Sequence, residues 1–575
     1  MKYYEVNEQN VKILGRALQT EKGLWCVYSA TGAEFVTKAT KIEITLQGDS
    51  EAVSDNELNY VRYAIYVNGV RVVDDRLNEA ERTVTVLDTE EATEAIVTIV
   101  KLSEAAMSTM RISRIGIEGE KIAPTPDKPM MIEVVGDSIT CGYGVEDEDR
   151  DHHFSTATED VTKAYSYGLV NMLDADYSLV SVSGWGIISG YSDDGETRRT
   201  DQMLPPYYEK LGYSDENLDG VKPQEVDWDF GRRQPDLVVI NLGTNDSSYC
   251  LEHEDRRKLF TSEYVRFLEK VRSYNPRAKI LCALGIMGEN LCPCVERAVA
   301  DYIAETGDAG VEFLPLTDQL PQDGYVADWH PTTVTHWKNV KKFVAKIREM
   351  FPEWTDSRNP IRPDIDPAKP VIALSFDDGP NMTTTRQMLD LLEKYQVRAS
   401  FFVIGQNLTP ITANQTRRAY DMGCEIQNHS LTHPFMDRLT GEQIAAEIAE
   451  TTDRIRMVTG VEPGFFRPPF IVVNETMFEN IDLPFICGVG VEDWVPTVSA
   501  GERAERLLRD VHDGDIILLH DLEGNVNTVE ALEAVIPEFL KRGWQFVTVS
   551  ELFAIKKVTP TTSTRIVYSN ALQTR

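Results

Sequence analysis

M-I-E-V-V-G-D-S-I-T-C-G-Y-G-V, Met131 to Val145, is the stretch from which the rest of the chain can be read. Ile132–Val135 is a short apolar run rich in β-branched residues, which predicts a buried strand. Gly136-Asp137 ends it and Ser138 follows at once. A serine placed where a buried strand gives way to a turn lies at the carboxyl edge of a sheet, and in open α/β folds that edge is where ligands bind. A hydroxyl there, with free backbone N–H groups beside it, can serve as a nucleophile next to an oxyanion pocket. Taken alone, the tetrapeptide would be an ordinary strand-to-helix turn.

The texture on either side differs. Residues 1–125 carry short alternating runs separated by Gly, Asn and Asp: Trp25–Tyr28, Glu34–Val36, Lys41–Leu46, Tyr60–Val67, Val70–Val73, Thr83–Leu87 and Ala95–Val100. V-N-G-V at Val67–Val70 is a hairpin signal. An accessory β-sandwich is expected there, covering or extending a neighbouring site, with sugar binding as the alternative. It holds no histidine and offers no catalytic constellation. After the joint K-I-A-P-T-P-D-K at Lys121–Lys128, strands alternate with helical stretches. Leu237–Leu242 and Lys279–Leu284 read as buried strands, and Ser262–Ser273 and Trp337–Met350 as helices. That alternation predicts a doubly wound parallel sheet over 126–355. Prolines at 352, 360, 363, 367 and 370 mark a linker, assigned to 356–370. A second α/β unit follows over 371–556. Its strands are Val371–Phe376, Ala399–Ile404, Asp515–Leu519 and Gln545–Val549, and its helices include Thr384–Tyr395 and Gly441–Val458. Polar residues 557–575 read as a loose tail.

Composition narrows the chemistry. A chain of 575 residues is long enough for three or four domains. A net charge of -34 argues against nucleic acid or an anionic membrane as partner, since both would repel it, and suits a neutral polysaccharide. No apolar run approaches the ~20 residues of a membrane span. The start, Met1-Lys2-Tyr3-Tyr4-Glu5, has no basic-then-apolar export signal, so a cytoplasmic location is expected unless a signal has been removed. The eight scattered cysteines read as free thiols in a reducing compartment.

Three further pieces join Ser138. Ser183-Gly184-Trp185-Gly186 offers a backbone N–H with no side chain in the way, Asn245 in N-L-G-T-N-D places an amide at another strand end, and D-W-H-P supplies His330 as a base. G-D-S-I-T, Gly184, G-T-N-D and D-W-H-P in this order resemble the SGNH (GDSL-type) hydrolases. With the preceding β-sandwich, the first 350 residues look like carbohydrate esterase family 2, whose members remove acetyl groups from plant polysaccharides. The resemblance implies Ser138 as nucleophile and His330 as general base. It implies the Ser138 N–H, the Gly184 N–H and the Asn245 side chain as the oxyanion hole. Many of these hydrolases place Asp three residues before the histidine, where this chain has Ala327. Either Asp328 orients the imidazole, or a backbone carbonyl does and the site is a Ser–His dyad. Asp246 reads as structural, and Trp185 and Trp329 as sugar-stacking or core residues.

The second unit carries its own set. Asp377-Asp378-Gly379-Pro380 ends a strand, and adjacent carboxylates repel unless a cation or proton separates their roles. In His429-Ser430-Leu431-Thr432-His433 the i, i+4 spacing predicts two imidazoles on one face of a helical turn. One Asp and two His leave coordination positions open, as a catalytic metal requires. F-D-D-G-P, H-S-L-T-H, R-P-P-F, E-D-W and L-L-H, in order from 370 to 553, look like the polysaccharide deacetylases of carbohydrate esterase family 4, with a distorted (β/α) barrel of the NodB type. By motif, Asp378, His429 and His433 would bind a divalent metal: zinc, or cobalt or another transition metal. Asp377 would be general base and His520 general acid. Arg467 would tune Asp377, Asp493 assist His520, and Trp494 shape the groove. The fourth motif usually begins with another Asp, and Gly490 stands there.

The expected function is a bifunctional carbohydrate esterase removing O-acetyl groups from xylan or mannan oligosaccharides. The alternatives are a single-site esterase with a non-catalytic sugar-binding module, and a C-terminal N-deacetylase acting on N-acetylglucosamine polymers.

Overall fold

The computed structural model describes residues 1–352 and 365–573, so most of the expected linker lies outside the described residues. The chain divides into two compact units, Met1–Lys346 and Ile347–Arg575.

Unit 1 begins with ten strands: β1 Lys2–Tyr4, β2 Lys12–Leu14, β3 Ala17–Thr20, β4 Gly23–Cys26, β5 Gly32–Gly48, β6 Arg62–Val67, β7 Val70–Arg76, β8 Glu81–Lys101, β9 Met110–Gly119 and β10 Ala123–Pro124. They form one antiparallel sheet with the main order β3-β4-β9-β5-β8-β6-β7. The runs predicted separately at 34–36 and 41–46 are one strand, β5, and those at 83–87 and 95–100 are one strand, β8. A bulge explains why β5 reads as two. Ala39 and Lys41 pair with the consecutive residues Gly119 and Glu118, so Thr40 is extra. The inward set therefore changes from odd (Ala33, Phe35, Ala39) to even (Ile42, Ile44, Leu46), and all six are fully buried. The predicted hairpin joins β6 to β7 through Asn68 and Gly69, both with left-handed φ (54° and 78°), as a type I′ turn requires.

A parallel sheet follows, β11 Met130–Gly136, β12 Ala175–Ser181, β13 Leu237–Asn241, β14 Lys279–Leu284 and β15 Val311–Pro315, in the order β12-β11-β13-β14-β15. Strands β11 and β13 are buried almost throughout, which is why they read as continuous apolar runs. Between and after the strands come α1 Ser138–Cys141, α2 Tyr165–Met172, α3 Thr244–Cys250, α4 Glu254–Tyr274, α5 Cys292–Thr306 and α6 Thr333–Met350. A short ladder of β16 Tyr325–Val326 and β17 His330–Pro331 carries His330.

In unit 2, β18 Val371–Asp377, β19 Ser400–Val403, β20 Glu425–Asn428, β22 Val489–Gly490, β23 Ile516–His520 and β24 Gln545–Val547 form a parallel sheet ordered β20-β19-β18-β23-β22, with β24 on β18. Single parallel bridges continue from Asn428 to Phe466 and from Phe466 to Phe485, in β21 Phe485–Ile486. The helices are α7 Thr384–Tyr395, α8 Ala413–Asp421, α9 Gly441–Thr459, α10 Glu475–Asn480, α11 Ala500–Asp510, α12 Val526–Lys541 and α13 Val549–Ile555. Residues 557–573 do not form a loose tail. They supply β25 Val567–Tyr568, which pairs with β21, and Tyr568 and Ala571 are buried in the core beside Phe553. Local polarity hid the docking, because only a few apolar side chains of the segment face inward. Among the described residues no helix is long and apolar enough to cross a membrane.

Candidate active sites

Ser138, Gly184 and Asn245 follow β11, β12 and β13, three adjacent parallel strands, so topology alone carries them to one sheet edge. Ser138 opens α1. The Asp137 side chain caps that turn by accepting the Ile139 N–H at 3.1 Å. Burial raises the Asp137 carboxyl to about 7 against that hydrogen bond. His330 arrives on β17 and its Nε2 lies 2.9 Å from the Ser138 Oγ. Its Nδ1 lies 3.1 Å from the Ala327 carbonyl oxygen. A carbonyl only accepts, so Nδ1 carries the proton and Nε2 offers its lone pair to the serine. Burial pushes the imidazole down to about 4, so it is neutral at ordinary pH and its Nε2 lone pair is free to accept a proton.

Asp328 does not take the orienting position. Its Oδ2 accepts from the Tyr143 hydroxyl at 2.7 Å, and its Oδ1 lies 2.9 Å from the His153 Nδ1. Those contacts outweigh burial and hold it below the ordinary carboxylate range. The Tyr143 ring stacks on His330 at 4.1 Å. Tyr143 was missed in the sequence, though it lies five residues beyond Ser138.

The Asn245 amide donates to the Trp185 carbonyl at 2.9 Å and to Asp137 Oδ2 at 3.3 Å. Asp246 is wholly buried and accepts the N–H groups of Ile187, Ile188 and Ser189, which agrees with a structural role. A Cβ at Gly186 would overlap that carboxylate, so only glycine fits. Trp185 is 3% exposed and packs against Tyr207 and Tyr213, so it belongs to the core and presents no ledge for a sugar. Trp329 is 48% exposed, with the Arg150 guanidinium 4.1 Å over its ring.

In unit 2, Asp377 and His520 are paired residues on β18 and β23. His429 follows β20, and Arg467 is tied to that strand end by its N–H to the Asn428 carbonyl. The His429–His433 segment is a loop, not the helical turn expected. Ser430 and His433 adopt left-handed φ (65° and 55°), which turns the second imidazole back toward the first at 4.9 Å. Both Nε2 atoms lie 3.5 Å from Asp378 Oδ1. These three residues bring a donor atom each within 4.8 Å of one another.

The set fits a divalent metal. The His429 Nδ1 lies 2.7 Å from the Arg467 carbonyl oxygen, which leaves Nε2 as the coordinating atom. Asp378 Oδ1 is buried with no hydrogen-bond partner, a state that is costly without a cation.

Arg467, wholly buried, donates from Nη1 to Asp377 Oδ1 at 2.6 Å and from Nη2 to Ser375 Oγ at 2.8 Å. Its guanidinium also rests on Phe402 at 4.0 Å. His520 Nδ1 lies 2.8 Å from Asp493 Oδ1. Burial alone would lower this imidazole, but Asp493 and the nearby Asp377 raise it to about 9. Asp493 is in turn held by Thr528 and Asn525, and the buried Arg503 donates to both at 2.7 Å. The His520–Asp493 pair is intact despite Gly490, where a Cβ would meet nothing closer than 3.8 Å. Trp494 is 50% exposed and edge-on to His520 at 5.4 Å. Asp521, next to His520, carries no signal of its own in the sequence. It accepts the Gly379 N–H at 3.1 Å and donates its own N–H to the Asp377 carbonyl.

Three families match along the chain: Carbohydrate esterase 2 N-terminal over residues 13–126, GDSL-like Lipase/Acylhydrolase over 134–338, and Polysaccharide deacetylase over 364–482. A bifunctional xylanase/deacetylase of Pseudobutyrivibrio xylanivorans is 50% identical over 196 residues, 34% of this chain and 32% of that protein. A peptidoglycan-N-acetylglucosamine deacetylase of Bacillus cereus is 34% identical over 32% of this chain and 89% of its own length. An acetyl xylan esterase from the rumen bacterium Butyrivibrio proteoclasticus has a solved structure that superposes with a TM-score of 0.55 at 23% identity, covering 61% of this chain and 98% of that one; it shows a shared fold. The chain spans less than half the length of the leading curated relatives. By these matches the chain belongs to the polysaccharide deacetylase family through its second unit, and joins to that unit a carbohydrate esterase 2 N-terminal region and a GDSL-like hydrolase domain.

Proposed function

We propose that the protein is a bifunctional carbohydrate esterase that removes O-acetyl groups from hemicellulose oligosaccharides of the xylan or mannan type. The observation that carries this reading is that one chain holds a Ser–His pair in hydrogen-bond contact and, in its other unit, a carboxylate with two converging imidazoles. The names of the Pseudobutyrivibrio and Butyrivibrio proteins support an acetylated xylan as substrate. We read the N-terminal sheet as a jelly-roll-like sandwich over 1–125, the serine-site domain as 126–355, and the curled parallel sheet of 371–556 as a distorted barrel.

At the serine site, His330 Nε2 takes the hydroxyl proton as Ser138 Oγ attacks the acetyl carbonyl. The Ala327 carbonyl steadies the imidazolium through its Nδ1–H. The developing oxyanion accepts from the Ser138 and Gly184 N–H groups, which have no other partner among the described residues, and from Asn245 once it releases its long contact to Asp137. His330 then protonates the departing sugar oxygen, and water hydrolyses the acetyl-serine. At the second site Asp378, His429 and His433 would hold a divalent ion, zinc or cobalt by donor type. When bound, that ion supplies Lewis-acid polarisation of the acetyl carbonyl and acidifies a nearby water. Asp377, held in place by the Arg467 guanidinium, accepts the water proton. His520, cationic beside Asp493, donates a proton to the leaving group.

The test is NMR-followed acetate release from acetylated xylan and mannan oligomers, with and without chelator. Ser138→Ala should remove the chelator-resistant release and His429→Ala the chelator-sensitive release. Loss of all release in either single variant would end the two-site reading. A second reading, N-deacetylation by unit 2, is favoured by its likeness to the Bacillus cereus enzyme. It would appear as acetate release from N-acetylglucosamine oligomers.

A further inference from the structure

Glu104 lies in the loop between β8 and β9, far in sequence from the serine motifs, and is wholly buried. Its backbone is held on both sides. The Lys101 ammonium donates to the Ser103 and Glu104 carbonyls at 2.6 and 2.7 Å, and the Glu104 N–H donates to Glu159 Oε2 at 2.8 Å. From this fixed base Glu104 Oε2 accepts the Ser183 N–H at 2.9 Å. Its Oε1 has no hydrogen-bond partner. A buried carboxyl with one oxygen unpaired is costly, and the Ser183 contacts and the Lys101 ammonium offset only part of that cost, since burial still leaves the group raised above the ordinary carboxylate range.

The neighbouring hydrogen bonds supply an account. Between Ser183 and Tyr191 the N–H groups are engaged one after another: Ser183 by Glu104, Trp185 by the Val182 carbonyl, Gly186 by the Gln202 carbonyl, Ile187 to Ser189 by Asp246, Gly190 by the Arg199 carbonyl and Tyr191 by the Gly184 carbonyl. The Gly184 N–H is the exception among them. Gly184 has φ 78°, and the space a side chain would take is open. Two buried carboxylates, Glu104 before it and Asp246 after it, thus stretch the loop so that this one donor is left over.

We infer that Glu104 is a positioning residue for the serine site: the N-terminal sheet, through this carboxylate, sets the direction of the Gly184 N–H that receives the oxyanion. The inference rests on the serine-site reading given above. It makes the β-sheet region a working part of the esterase site.

The test uses the full-length, metal-loaded protein with 4-nitrophenyl acetate and acetylated xylan oligomers, with and without chelator, and reads kcat and KM for the serine site from the chelator-resistant part. Glu104→Ala should lower kcat about 100-fold with KM within about threefold, the pattern of a lost transition-state donor. Glu104→Gln, whose side-chain carbonyl accepts the same N–H, should stay within about fivefold of wild type. Glu104→Asp keeps the carboxyl group but shortens the reach, and should resemble alanine; it serves if the alanine variant does not fold. Chelator-sensitive release should be unchanged in all three. A folded Glu104→Ala or Glu104→Asp protein with wild-type kcat below its Tm, or no rescue by glutamine, would overturn the inference. Chelator-resistant release that survives Ser138→Ala would instead overturn the serine-site reading, and the inference with it.

Discussion

His330 shows how neighbours set the state of a candidate base. Its ring is held by the Ala327 carbonyl at Nδ1, by the Tyr143 ring on its face and by Ser138 at Nε2, while Asp328 is engaged elsewhere. An aspartate that orients a catalytic imidazole is worth about 10⁴ in kcat. Here Asp328→Asn should lower chelator-resistant kcat by less than about tenfold, because the carbonyl keeps the tautomer. A loss of several thousandfold, measured on acetylated oligomers, would restore the triad. The choice between carbonyl and carboxylate was not legible in D-W-H-P, since both are offered within three residues of the histidine and only the turn at Asp328 (φ 48°) decides which faces the ring.

At the scale of elements, strand ends and loops carry the two sites. Strands buried on both faces announce themselves as apolar runs, so β11, β13, β14 and β18 were legible to within a residue or two. Long bent strands and the terminal segment were not. A bulge changes the inward parity of β5, and β25 has only two paired residues. The H-x-x-x-H spacing cannot tell a helix from a loop, because a one-turn helix and a loop with two left-handed residues both return a side chain after four positions. The segment after Lys557 carries a prediction at this scale. Tyr568 packs edge-on against Phe553 at 5.3 Å and its carbonyl accepts the Cys487 N–H. Tyr568→Ala should cost about 3 kcal/mol of unit 2's stability, as for other large buried aromatics, read as a fall in the urea midpoint. An unchanged midpoint would show that the segment is not part of the core.

At the scale of the whole molecule, the two candidate sites fall one in each unit. Among the described residues, the one group of three or more candidate metal ligands lies in unit 2. An ion that binds the folded state alone stabilises it by about 2.7 kcal/mol at a hundred times its Kd. For a unit of this size that corresponds to roughly 5–10 °C in Tm. Added zinc should therefore raise the calorimetric transition of unit 2 by that amount and leave the transition of unit 1 unmoved. His429→Ala should abolish the shift and Ser138→Ala should not. A zinc-dependent shift that survives His429→Ala would place the ion elsewhere.

The sequence by itself determined which side chains are the candidates for the chemistry. The proposed nucleophile and base, the carboxylates, imidazoles and arginine all stand in short motifs at strand ends, where local pattern and residue type single them out. Tertiary structure alone decided what each of them touches. It made the Ala327 carbonyl the partner of His330 and put Trp185 in the core. It left Asp378 Oδ1 without a hydrogen bond between two imidazoles, and brought Glu104, from the loop between β8 and β9, to the Ser183 N–H. The reason is physical. Residue type and periodicity are properties of neighbours along the chain, whereas hydrogen-bond partners and burial are set by segments tens to hundreds of residues apart, meeting only when the sheets close.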